Sequence, residues 1–133
     1  MIDIETKVMT LIYDAVHPAY PNAKFESGLN LSPSAFPCVC VEEIGNSTRK
    51  STIDSSGIEK YANVAYEINI FTNDVSGKKQ AARAILQLVD TAMTRKGFER
   101  VNSQPFSLDQ GTKYRLLARY QATVSADFTI YGR

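Results

Sequence analysis

The sequence predicts an α+β domain: an antiparallel or mixed β-sheet with two α-helices packed on one of its faces, in the order α-β-β-α-β-β. Three observations carry this. Two segments show one apolar stripe at helical spacing. Two long segments alternate apolar and polar residues with a period of two. Polar breaks containing Gly, Pro, Asn or Asp separate them. With 133 residues, the chain fits a single domain spanning residues 1–133.

In the first helix, residues 3–17, Ile4, Val8, Leu11, Ile12 and Ala15 form one stripe. Asp3 can cap its start and Pro18 ends it. A short additional strand candidate lies near residue 24. Residues 36–44 form a compact apolar strand, with Pro37 at a tolerated position near its beginning. Residues 45–57 are rich in Ser and Thr and aperiodic, which predicts a long mobile loop inside the domain. Arg49, Lys50 and Asp54 in this loop are candidate partner contacts.

Residues 58–72 place Ala62, Val64, Tyr66, Ile68 and Ile70 on one face, and Tyr61, Asn63, Ala65, Glu67, Asn69 and Phe71 on the other. Asn73, Asp74, Ser76 and Gly77 supply a turn and candidate helix caps. The second helix, residues 78–96, aligns Ala81, Ala82, Ile85, Leu86, Val89, Ala92 and Met93, and Gly97 follows as a C-terminal cap. A strand near 99–108, interrupted at Pro105, leads through a turn at Asp109-Gln110-Gly111 into a long strand over 113–131. The helices should share one sheet face, packing through Ile4, Val8, Leu11, Ile85, Leu86 and Val89.

The formal net charge of +1 gives no global attraction to nucleic acid or anionic membrane. Acidic residues Asp3 and Glu5 stand where a signal peptide carries basic ones, and no apolar run reaches the roughly 20 residues of a membrane helix. The expected compartment is a cytoplasm, with no membrane contact.

Each group that could carry chemistry lacks a partner in the sequence. His17 is the only histidine, sits at a helix end and has no nucleophile motif beside it. Cys38 and Cys40 lie two apart on a strand, near the upper separation for a disulfide, and read as buried free thiols. A zinc site needs four ligands, and beyond these two the chain supplies one histidine and no further cysteine, so only a site completed by carboxylates, which nothing else in the sequence supports, is conceivable. Glu42, Glu43 and Glu67 could join Asp54 or Asp74 in a metal-dependent nuclease centre, but Asn69 stands where such a centre wants lysine. Glu67 is instead expected to pair across strands with Arg115 or Arg119. Ser76-Gly77-Lys78-Lys79 lacks the glycine spacing of a phosphate loop. The second helix carries Lys78, Lys79, Arg83, Arg95 and Lys96 against Asp90, a basic face that is either solvated or turned to DNA or an acidic subunit. Neither a catalytic residue, a metal site nor a cofactor is expected.

Several stretches in order are Phe36-Pro37-Cys38-Val39-Cys40-Val41-Glu42-Glu43, Tyr66-Glu67-Ile68-Asn69-Ile70-Phe71-Thr72-Asn73, Gly77-Lys78-Lys79, Val89-Asp90, Gly97-Phe98-Glu99-Arg100 and Tyr114-Arg115-Leu116-Leu117-Ala118-Arg119-Tyr120. Together they resemble the tail-terminator (tail-completion) proteins of long-tailed phages, over about residues 5–131. The resemblance implies a non-enzymatic virion subunit, assembled in the host cytoplasm. It implies a hexameric ring on the head-proximal end of the tail tube that stops tube polymerisation. Its partners would be the tail tube protein, the head connector or stopper, and phage DNA passing through the lumen without sequence reading. The alternatives are another neck protein such as a stopper or adaptor, a component of a tail-like particle, or a small metal-dependent nuclease.

A cyclic ring uses two different patches on each subunit. Tyr61, Phe71 and Leu117 fall on the sheet face that two helices cannot cover, with Glu67, Arg115 and Arg119 among them, so these six are the candidate subunit interface. Glu5 and Asp14 on the first helix are a candidate for the complementary patch.

Overall fold

The computed structural model describes residues 1–48, 61–108 and 111–131. Its elements are α1 (Glu5–Val16), β1 (Lys24–Ser27), β2 (Cys38–Thr48), β3 (Tyr61–Thr72), α2 (Lys78–Arg95), β4 (Glu99–Leu108), β5 (Lys113–Ser125) and β6 (Ile130–Tyr131). They build one mixed sheet in the order β1-β2-β3-β5-β4, with β6 also paired to β5. All pairings are antiparallel except β1 with β2. The α+β class follows the alternation of the long strands and the two helical stripes.

Both helices pack on the same sheet face. Val8, Ile12 and Val16 from α1 and Ala82, Ile85, Leu86, Val89 and Met93 from α2 are buried together with Val39, Val41, Ile68, Ile70, Leu116 and Ala118. Leu11 joins from the margin of this core. Burying each large aliphatic side chain contributes roughly 1.5–3 kcal/mol, so this face holds the domain together. Tyr66 and Tyr120 stand opposite one another on β3 and β5, and both are fully buried. A buried phenol needs a partner for its hydroxyl. Tyr66 donates to Glu43 at 3.1 Å and Tyr120 donates to Asp90 at 2.8 Å. Burial, with the neighbouring carboxylate, pushes both phenol pKa values up. Asp90→Ala should therefore cost about 1–3 kcal/mol in chemical denaturation, because it strands the Tyr120 hydroxyl in the core.

The helix ends show how local chemistry sets the boundaries. The N-cap of α1 is Ile4, without a side-chain cap, and not the expected Asp3; Asp3 stands one residue before it and accepts the backbone N–H of Glu5 at 3.0 Å. At α2 the N-cap is Gly77, at φ 85°, without a side-chain cap; Asp74 and Ser76 do not serve. Gly97, at φ 105°, lets Phe98 N–H reach the Met93 carbonyl and its own N–H reach Thr94, which closes the helix with paired carbonyls.

Three elements depart from the sequence reading. β2 runs on to Thr48, because a bulge between Glu43 and Gly45 resets its register and lets 45–48 pair with β3. The expected loop therefore begins inside a strand, and its remainder, with Arg49, Lys50 and Asp54, lies outside the described residues, as do 58–60 of the expected long strand. β4 passes through Pro105 without a break, since β4 is an edge strand and the missing N–H costs no ladder bond there. The last strand is not continuous to 131. Ser125 and Asp127 turn the chain: the Thr129 N–H donates to Asp127, the Ser125 hydroxyl also meets Asp127, and Phe128 takes φ 65°. β6 then folds back on β5, with Thr123 opposite Tyr131.

Finally, the extended stretch near residue 24 is a true strand. β1 is parallel to β2, with Lys24 opposite Cys38 and Glu26 opposite Cys40. Parallel neighbours cannot be joined by a tight hairpin, so the chain must cross back over a sheet face. Residues 28–37 do this on the face away from the helices, where Phe36 packs on Cys38, Cys40 and Phe71.

Candidate functional site

The face opposite the helices carries all six candidate interface residues. The β3–β5 register sets Glu67 against Arg119, Asn69 against Leu117 and Phe71 against Arg115. The polar members form one chain of contacts. Arg119 Nε donates to Glu67 Oε2 at 2.9 Å, Asn69 Nδ2 donates to Glu67 Oε1 at 3.0 Å, and Arg115 Nε donates to Asn69 Oδ1 at 2.7 Å. An Arg115 terminal nitrogen lies 4.0 Å from Glu67 Oε1, so Arg119 is the direct ion-pair partner and Arg115 acts mainly through Asn69. The Arg115 guanidinium also sits over the rings of Phe106 and Phe71, at 5.0 and 5.9 Å from their centroids. Contact with two aromatic faces holds a planar cation in one orientation.

Burial raises the Glu67 pKa, but the hydrogen bonds from Asn69 and Arg119 and the two arginine charges outweigh it, and the net shift is downward. A carboxylate whose folded pKa is depressed stabilises the fold above its unfolded pKa and loses that contribution as pH falls through the folded value. The wild-type chain should thus lose stability as pH drops below about 4.5, and Glu67→Gln should flatten that part of a stability–pH curve measured by chemical denaturation. A parallel acid limb in both proteins would remove Glu67 from the account.

The apolar members are placed differently from the expectation. Phe71 was expected uncovered but is fully buried, because the 28–37 crossover lays Phe36 across it. Leu117 is only 5 % exposed, and Glu67 itself is 7 % exposed. These residues stabilise the subunit from within and are not open to a partner. What remains accessible is Arg119, whose side chain is 48 % exposed, half-buried Tyr61, and Tyr131 packed edge-on to Tyr61 with centroids 6.0 Å apart. Beside them a shallow depression, lined by Gly45, Asn63, Ala65, Gln121 and Thr123, crosses β2, β3 and β5. On α1, Glu5 accepts the Ser27 hydroxyl at 2.7 Å, which fixes it to β1, while Asp14 stays exposed.

Of the described carboxylates weighed for a nuclease centre, Glu42 and Glu67 come side by side, but Glu67 is committed to Asn69 and Arg119, and neither Glu43 nor Asp74 joins them. His17 stacks on Tyr13, with ring centroids 4.6 Å apart. Glu43 shares the face of Tyr66 and holds its hydroxyl, whereas Glu42 and Glu67 are register partners on the opposite face. Asp74 lies beyond the end of β3. Along α2, Lys79, Arg83, Arg95 and Lys96 are exposed, and Asp90 is engaged by Tyr120 and by Arg100 at 3.2 Å, so the outer face of this helix is basic.

Cys38 and Cys40 are buried free thiols whose sulfurs lie 3.9 Å apart. Sequence reasoning did not place Glu26 beside them. Its Oε2 accepts from Cys38 Sγ at 3.2 Å, and Asn30 Nδ2 donates to the same carboxylate at 3.0 Å. The contact with the Cys38 sulfur, with help from the Asn30 backbone N–H, holds the Cys40 thiol down to about 7 against the effect of burial. Cys38, whose single S–H proton goes to Glu26, is pushed up by Cys40, by burial and by Glu26. The hydrogen bond from Cys38 also lowers the Glu26 pKa. Glu26 was hidden because its strand is four residues long and pairs in parallel, a juxtaposition that alternation along one segment cannot reveal.

No family model matches the chain, and neither does any curated protein. Among solved structures it is similar to a chain in the virion of a native gene transfer agent particle. That likeness has a TM-score of 0.56 and 16 % identity, and it covers 86 % of this chain and 84 % of the other. The two chains share a fold over most of their lengths.

Proposed function

We propose that the chain is a structural, non-enzymatic virion subunit that forms a ring at the head-proximal end of a phage tail tube, ends tube polymerisation there and offers a docking surface to the head connector. The observation that carries this reading is the shared fold with a virion chain across 86 % of the sequence. The ordered likeness of its motifs to tail-terminator proteins narrows the position within the particle. Assembly belongs to the cytoplasm of the host, and the mature location is the virion neck.

In this reading the ring closes through the accessible part of the second sheet face. Arg119 projects from the Glu67–Asn69–Arg115 chain, and Tyr61 with Tyr131 supplies apolar surface. Phe71, Leu117 and Arg115 hold that face flat from behind. The basic outer side of α2 would face the tube protein, the connector or the DNA in the lumen, and Arg49, Lys50 and Asp54 are candidate contacts for the same partners. In this reading DNA contact is with the phosphate backbone and carries no base readout.

The experiment is a solution mass measurement by light scattering, followed by negative-stain microscopy. The purified chain should give six times its 14.8 kDa mass and closed rings, alone or after addition of tail tubes. Arg119→Glu removes the ion-pair partner of Glu67 and sets a second carboxylate opposite it, so its fold is checked first by circular dichroism and urea denaturation; the folded protein should form rings at least about tenfold less, since the exposed positive charge of the patch is reversed. A chain that stays monomeric with and without tubes contradicts the ring. Unimpaired rings from Arg119→Glu exclude this face as the interface.

A further inference from the structure

We propose that Glu26, Cys38 and Cys40 form a binding site for a single zinc ion that clips β1 and the 28–37 crossover onto the sheet. Among the described residues, this is the group whose ligand atoms converge: one carboxylate oxygen and two sulfurs, all within 4.8 Å of one another. The convergence follows from topology. Cys38 and Cys40 lie two apart on β2 and so share a face, and the parallel register sets Glu26 of β1 directly beside Cys40.

Two of the three ligand-to-ligand distances already lie near those of a tetrahedral ion, and the third is within 4.8 Å. Two sulfurs on one zinc, each at ~2.3 Å, stand about 3.8 Å apart. The sulfurs here are 3.9 Å apart. A zinc-bound sulfur and oxygen stand about 3.5 Å apart by the same reasoning, and Cys38 Sγ is 3.2 Å from Glu26 Oε2. The surroundings also suit bound thiolates. The Asn30 backbone N–H points at Cys40, Asn30 Nδ2 holds the Glu26 carboxylate, and Phe36 and Phe71 form an apolar wall. Two thiolates and one carboxylate favour zinc over magnesium or calcium, which take oxygen ligands. Glu26 is half-buried, so a water can complete the fourth position from its side. On binding, two Zn–S bonds form and the two thiol protons leave to solvent.

The test uses the full chain, stripped with a chelator and titrated with zinc alone. Bound metal is read by elemental analysis and stability by thermal unfolding. The expected result is one zinc per chain and a melting temperature raised by roughly 10 °C at a hundredfold excess over Kd. Cobalt(II) in place of zinc should show sulfur-to-metal charge-transfer absorption. Glu26→Gln preserves the hydrogen-bonding shape at a half-exposed position, so it should fold and weaken zinc at least about tenfold; Cys40→Ser should abolish the cobalt absorption. The proposal is overturned by substoichiometric zinc in the wild-type chain, by an unchanged melting temperature, or by Glu26→Gln binding zinc as tightly as wild type.

Discussion

Leu117→Asp should destabilise the isolated subunit by about 3–5 kcal/mol, and should not yield a chain of wild-type stability that merely fails to assemble. Leu117 lies on the face away from the helices but is 5 % exposed, between Asn69 across the strand pair and the arginines two residues to either side. A carboxylate there loses its hydration close to Glu67, and the flanking arginines are already engaged, Arg119 by Glu67 and Arg115 by Asn69. An uncompensated buried charge costs about 3–5 kcal/mol, a large share of the roughly 5–15 kcal/mol that stabilises a domain. Leu117→Met, which keeps the volume, should cost under about 1.5 kcal/mol. Urea denaturation of the two variants checks this; a Leu117→Asp chain as stable as wild type would mean the position is open to solvent.

Phe71→Ala should lower stability by about 3–5 kcal/mol in the same measurement, the range for emptying a buried aromatic site. Phe71 is fully buried against Cys38, Cys40 and Phe36, and its ring also supports the Arg115 guanidinium. The truncation therefore leaves a void under the crossover and frees one side of Arg115. Reactivity of Cys38 and Cys40 toward a thiol reagent should rise with it, since Phe36 loses the surface it packs on. A change below about 1 kcal/mol would show that the crossover does not cover this face in solution.

The architecture was legible where one segment carries its own period. The stripes of α1 and α2 and the alternation of β3 and β5 each report a face directly, and from them follow both helices on one side and the Glu67–Arg119 pairing. What could not be read depends on pairing between segments. The parallel placement of β1 sends residues 28–37 across the second face, and this buries Phe71, which alternation alone assigns to the surface. The bulge at Glu43–Gly45 hides four further residues of β2 in a stretch whose composition reads as loop. At the other end, Ala126, Phe128 and Ile130 keep the parity of β5, although Ser125 and Asp127 turn the chain there. The six candidate residues share a face, as their parity predicts, but Phe71 and Leu117 are buried where alternation alone leaves them open. Glu26 beside the two thiols was invisible for the same reason as the crossover.

The central claim, that this chain ends a tail tube and prepares it for the head, is tested most directly by electron microscopy of particles assembled without it. The account predicts tubes of uncontrolled length and heads without tails, both corrected when the wild-type chain is supplied and not when Arg119→Glu is supplied. Tails of normal length joined to heads in its absence would contradict the account.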